Sequence, residues 1–133
     1  MLRRVLLADD DGLIRRLVRE LLASREDWQI CDEAADGLEA VEKARVSNPD
    51  LAILDIQMPR MDGIEAARKI IGNCRRTLVL VISLYDPALV LNAVKETGAE
   101  GFVSKMRMSS ELIPAIEALF AGRTYFNGSE IGI

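Results

Sequence analysis

The sequence predicts an α/β sandwich built on a parallel central sheet, and three observations carry that expectation. Short apolar runs recur along the 133 residues: "VLLA" from Val5, "LAIL" from Leu51, "LVLVI" from Leu78 and "GFV" from Gly101. They are apolar at successive positions and do not alternate, which suits strands covered on both faces. Between them lie amphipathic stretches at helical spacing, so that strand and helix alternate strictly along one domain-sized chain.

The elements follow in order. After the first strand, Leu13, Ile14, Leu17, Val18, Leu21 and Leu22 keep helical spacing, with Arg15, Arg16, Arg19 and Glu20 on the other side. "WQICDEA" from Trp28 is a weaker strand, followed by a helix over "GLEAVEKARV". The third strand, "LAIL", leads into a helix over "DGIEAARKII", and the fourth into one over "DPALVLNAVKETG". "GFV" and a helix over "SSELIPAIEALFAG" complete the alternation. Asp62, Asp86 and Ser109 or Ser110 stand where helices should start, and Gly72, Gly98 and Gly122 where they should stop. Pro114 fits the last helix only near its first turn.

Composition narrows the function classes. Half the residues are hydrophobic, 29% are charged and the net charge is −4, a soluble globular profile whose acidity argues against nonspecific binding to nucleic acid or anionic membrane. No apolar run approaches the ~20 residues of a membrane span, and the start meets acids too early for a signal peptide, so a cytoplasmic location is expected. Cys31 and Cys74 lack metal-type spacing and read as reduced, buried thiols. With no histidine, a Ser-His-Asp or Cys-His enzyme and a His-ligated zinc site are excluded, and the chain cannot itself carry a phosphohistidine.

In an open parallel sheet the carboxyl ends of the strands share one edge, where ligands bind. Here those ends read Asp9, Asp10 and Asp11 on the first strand, Asp55 on the third, Ser83 on the fourth, and Ser104 and Lys105 on the fifth. Clustered carboxylates hold protons unless a cation sits among them, and hard Mg²⁺ matches oxygen ligands. Magnesium beside a lysine and a hydroxyl suits phosphoryl oxygens, and a carboxylate can attack phosphorus to give an aspartyl phosphate. Asp55, alone at its strand end, is the candidate nucleophile. Each residue also has a plainer reading: Asp11 as helix cap, Asp9 and Asp10 as turn residues, Lys105 as a solvated lysine, Phe102 as core, Asp62 and Gly63 as cap and turn.

Over residues 2 to 122 the sequence resembles the receiver domain of bacterial two-component response regulators. The resemblance rests on "VLLADDD", "LAILDIQMPRMDG", "LVLVISLYD" and "GFVSK", in that order. It implies a flavodoxin-like receiver fold: a doubly wound sheet of five parallel strands in the order 2-1-3-4-5, with five helices, two on one face and three on the other. It also implies Asp55 as phosphoacceptor, with Mg²⁺ held by Asp10 directly, by Asp9 mainly through water, and by Asp55 and the backbone carbonyl of Gln57. Ser83 then corresponds to the hydroxyl that bonds the phosphoryl group, Lys105 to its cationic partner, and Phe102 to the aromatic switch that turns inward as Ser83 is pulled toward phosphate.

The function so implied is a regulatory switch and not a metabolic enzyme, catalysing only its own phosphorylation and dephosphorylation. Its partners would be a cognate histidine kinase and a second copy of itself on phosphorylation, with DNA reached only through an absent output domain and no membrane contact. "GRTYFNGSE" resembles the connector toward a LuxR-type helix-turn-helix, so the receiver is expected over residues 1–122 and a connector or tail over 123–133. Three residues depart from common family patterns: Leu84, whose bulk could narrow access to Asp55; Phe102, which lacks a tyrosine hydroxyl; and Met106, in a position where proline is frequent. A receiver-shaped interaction module that works without phosphorylation is one alternative, kept open by Leu84. A phosphohydrolase of the haloacid dehalogenase type is another, but it would need an acid where Gln57 stands. A flavin domain would need a phosphate loop where "DDDG" is electrostatically opposite.

Overall fold

Val5, Leu6, Leu7 and Ala8 are all buried, because successive side chains of β1 (Arg3–Ala8) point into two different apolar layers. The structure, a computed structural model, describes residues 2–126 and 129–131. After β1 come α1 (Gly12–Leu22), β2 (Trp28–Ala34), α2 (Gly37–Ser47), β3 (Leu51–Asp55), α3 (Gly63–Asn73), β4 (Leu78–Ser83) and α4 (Pro87–Glu96). The chain continues through β5 (Gly101–Ser104), a 3₁₀ turn (Lys105–Arg107), α5 (Met108–Phe120), β6 (Thr124–Phe126) and β7 (Ser129–Ile131).

The sheet order is β2-β1-β3-β4-β5-β6-β7. Leu6, Ala8, Ala52, Leu54, Val79, Val81 and Phe102 pack on one side against Ala40 and Ala44 of α2, Ala66, Ala67 and Ile70 of α3, and Val94 of α4. Val5, Leu7, Leu51, Ile53, Leu80 and Ile82 pack on the other against Val18 and Leu22 of α1 and Leu112 and Ile116 of α5. The expected split of three helices and two is present, and it leaves the carboxyl edge of the strands uncovered.

The expectation of five parallel strands needs correction. β6 pairs parallel with β5 and β7 pairs antiparallel with β6, so the described sheet has six parallel strands and a seventh reversed one. Gly122, at φ 83, turns the chain in the left-handed region, and Tyr125 then donates from its N–H to the Glu100 carbonyl at 3.0 Å. Gly101 admits this neighbour, since a Cβ there would stand 3.1 Å from the Tyr125 carbonyl oxygen and 2.8 Å from Leu80 Cδ1. Part of the segment expected as connector therefore extends the sheet; residues 127–128 and 132–133 lie outside the described residues.

Smaller corrections concern helix ends. α5 starts at Met108, directly out of the 3₁₀ turn, so neither Ser109 nor Ser110 caps it. Pro114 is inside α5 and not at its first turn; it lies on the exposed side, where solvent can serve the carbonyl its ring leaves unpaired. Gly72 sits within the last turn of α3, which Cys74 closes. Cys31 is half-buried, since β2 is an edge strand, whereas Cys74 is buried. Asp11, Asp62 and Asp86 do cap helices, accepting from the N–H groups of Leu13, Glu65 and Ala88 at 2.9, 2.9 and 3.0 Å. Among the described residues no helix is long and apolar enough to cross a membrane.

Candidate functional site

The strands deliver their polar ends to one edge. Asp55 closes β3, Ser83 closes β4, Asp9 and Asp10 follow β1, and Lys105 follows β5. Asp10, Asp55, Gln57, Ser83, Leu84 and Lys105 line a cleft of about 200 Å³. One carboxylate oxygen each of Asp9, Asp10 and Asp55 lies within 4.8 Å of the others. Asp9 and Asp55 are buried and Asp10 is exposed. Lys105 Nζ stands 2.8 Å from Asp9 Oδ2 and 3.2 Å from Asp55 Oδ1.

Electrostatics inside the cleft are unbalanced. Burial, reinforced by the negative charge of Asp9, pushes the Asp55 carboxyl up to about 6 against the pull of Lys105 and the Gln57 backbone. Burial opposes the charge on Lys105, but its contacts with Asp9 and Asp55 outweigh that and hold its pKa above the ordinary lysine value. Asp9 Oδ2 is buried with no hydrogen-bond donor aligned on it, so its 2.8 Å approach to Lys105 is an ion pair without hydrogen-bond geometry. Three acids facing one lysine leave more carboxylate charge than that lysine balances, an oxygen donor set that fits a hard divalent cation such as Mg²⁺.

The loops around the cleft are held by close backbone approaches. A Cβ on Gly63 would fall 1.9 Å from the Asp55 carbonyl oxygen, and one on Gly37 would fall 2.0 Å from that of Met61. Only glycine lets the start of α3 lie against Asp55 in this way. Gly63 N–H donates to the Ile56 carbonyl at 2.7 Å, which folds the intervening loop back and leaves Gln57 at the cleft wall. Arg60, at φ 67, spends about 1 kcal/mol in the left-handed region and reaches Asp36 at 3.0 Å. Asp36 also caps α2 through the Glu39 N–H at 2.8 Å, so one carboxylate ties two loops together. Sequence reasoning missed Asp36, although an acid directly before "GLE" is an N-cap signal.

Asp9 is fixed at four points. Its N–H donates to the Ala34 carbonyl at 3.0 Å, its Oδ1 accepts from Asp11 N–H at 2.9 Å, and its Oδ2 faces Lys105. Its backbone carbonyl accepts from Arg15 Nη1 at 2.5 Å. Sequence reasoning placed Arg15 on the solvated face of α1, and the structure turns it inward.

Ser83 is buried, and its Oγ accepts from the Tyr85 N–H at 2.9 Å, which orients the hydroxyl oxygen beside the cleft. Leu84 lines the cleft, yet most of its side chain is exposed. Phe102 pairs with Val81 in the register of β4 and β5 and is fully buried among the α2, α3 and α4 side chains. The expectation that it would turn inward on activation meets a ring already inward, since without a hydroxyl it has no polar end to keep in water. A wider groove of about 390 Å³ lies at the opposite end of the sheet. Its charged lining residues are paired among themselves: Arg25 binds Asp27 and Glu117 and stacks 4.0 Å over Trp28.

The family pattern of the response regulator receiver domain matches residues 5–117. The chain belongs to the response regulator receiver family. Its members are regulatory domains and not metabolic enzymes. The transcriptional regulatory protein PdtaR of Mycobacterium tuberculosis is 42% identical over 115 residues, which are 86% of this chain and 55% of that protein. A LuxR-family response regulator from Aurantimonas has a solved structure that superposes with TM-score 0.88 at 33% identity, covering 94% of this chain and 89% of that one. A solved CheX-CheY-BeF3-Mg²⁺ complex from Borrelia burgdorferi matches with TM-score 0.81 at 30% identity, covering 89% of each chain. This receiver spans about half the length of the curated relatives it matches.

Proposed function

We propose that this receiver is a phosphorylation-controlled switch that takes a phosphoryl group on Asp55 from the phosphohistidine of a histidine kinase. The observation that carries the reading is Asp55 itself: a buried strand-end carboxylate flanked by two further acids and a lysine in an open cleft. An Asp55 oxygen attacks phosphorus as the bond from phosphorus to the imidazole nitrogen breaks, and the imidazole leaves with its electron pair and takes a proton. Asp9, Asp10, Asp55 and the Gln57 carbonyl would hold Mg²⁺, which supplies positive charge to the phosphoryl oxygens. Lys105 supplies a second charge beside Asp55, and Ser83 Oγ stands ready to bond a phosphoryl oxygen. Burying a dianion against these groups draws Ser83 toward Asp55. Val81 and Phe102 are paired two residues back along β4 and β5, so that displacement is passed to the packing around the Phe102 ring.

The output is transcriptional control through a DNA-binding domain beyond residues 123–133, in the cytoplasm, with phosphorylation promoting pairing of two receivers. The names of the curated relatives support this, PdtaR being a transcriptional regulator. The test is beryllofluoride, a phosphoryl mimic, added with Mg²⁺ and followed by amide NMR. Shifts at Asp55, Ser83 and Phe102 that vanish in Asp55→Asn are expected. An unchanged spectrum would leave only the phosphorylation-independent module.

A further inference from the structure

We infer that Arg15 is a positioning residue for the acid pair, aiming Asp10 at the cation by clamping the peptide that joins Asp9 to Asp10. The inference rests on the reading of the acid cluster as an Mg²⁺ site. Among the described residues nothing donates a hydrogen bond to the Asp10 carboxylate, which is exposed at the cleft rim. Its direction therefore depends on the backbone in front of it. The carbonyl of that peptide, on Asp9, is the group that Arg15 Nη1 holds at 2.5 Å.

Arg15 is itself aimed. Its Nε donates to Glu33 Oε1 at 3.1 Å, and Arg19 Nη1 grips both Glu33 oxygens at 2.7 and 2.8 Å. The guanidinium thus spans from the end of β2 to the end of β1 with two of its donors engaged in different directions. A planar fork does this and a lysine ammonium does it poorly. Arg15 is only part-exposed, so the clamp works where water competes weakly.

The sign of one effect separates positioning from charge. Removing a cation beside a cation site should tighten Mg²⁺ binding if charge were all that mattered. Removing an outer partner that orients a ligand typically weakens it ten to a hundredfold, so Arg15→Met should raise the Mg²⁺ Kd about tenfold. Arg15→Lys keeps the charge but loses the fork, and its Kd should fall between the two. Calorimetric Mg²⁺ titration of the 133-residue chain reads the Kd, and urea unfolding without Mg²⁺ reads stability separately. Arg15→Met that binds as tightly as wild type, or more tightly, overturns the inference. If that variant fails to fold, Arg15→Lys decides, because with the charge unchanged an unchanged Kd leaves no positional role. A wild type that takes no Mg²⁺ overturns the site reading and this inference with it, whereas a binding wild type with an equally binding variant overturns the inference alone.

Discussion

Replacing the Asp55 carboxylate by an amide should stabilise the metal-free protein, and should do so only above the pH at which the carboxylate ionises. Asp55 is buried beside Asp9, and its carboxyl is raised from the ordinary 3.8 to about 6. The native state thus binds this proton more tightly than the unfolded chain does. As pH rises from about 4 to about 6 the unfolded chain releases its proton first, so stability falls across that window and stays lower above it. At about 1.36 kcal/mol per pH unit, the interval corresponds to about 3 kcal/mol lost. Asp55→Asn mimics the protonated form, so urea unfolding without Mg²⁺ should show it about 3 kcal/mol more stable than wild type at about pH 8, with the difference shrinking toward zero near pH 4. Mg²⁺ should narrow the gap by stabilising wild type selectively. A variant less stable than wild type at every pH would refute the claim that an ionised Asp55 is held at a cost.

Lys105→Met leaves Asp9 and Asp55 without their cation, and should cost about 3 kcal/mol at about pH 8 in urea unfolding, with much of the loss recovered in Mg²⁺; a neutral result would mean that the 2.8 and 3.2 Å ion pairs are not holding the cluster. Gly63→Ala forces a Cβ to within 1.9 Å of the Asp55 carbonyl oxygen, so it should cost about 3 kcal/mol and shift the Asp55 amide resonance. Wild-type stability in that variant would contradict the close approach. Cys74 is buried, and burial pushes its thiol pKa up, whereas Cys31 is half-buried. An aromatic disulfide reagent should therefore label Cys31 first and Cys74 only as the fold opens, and equal rates would contradict the placement of α3 over β4.

Three of the strands were legible because the runs from Val5, Leu51 and Leu78 are apolar at every position, a pattern that burial on both faces explains. The acid cluster followed from topology, since the residues that end or directly follow β1, β3, β4 and β5 include Asp9, Asp10, Asp55, Ser83 and Lys105. β6 was not legible: "TYF" is too short to show a period, and its pairing depends on Gly122 and on the bare Gly101 opposite it. Arg15 escaped for a different reason. Its spacing marks it as the polar face of α1, and only the fold brings the carbonyl of Asp9 and the carboxylate of Glu33 within reach of that face. The Arg60 link to Asp36 is equally nonlocal, joining loops 24 residues apart.

Intact-mass measurement after incubation with acetyl phosphate and Mg²⁺ tests the central claim most directly, because it reads the covalent product itself. The expected result is the increment of one phosphoryl group, removable by hydroxylamine as an acyl phosphate is, dependent on Mg²⁺ and absent in Asp55→Asn. An increment that persists in Asp55→Asn, or a wild-type mass that stays unchanged with Mg²⁺ bound, would contradict it.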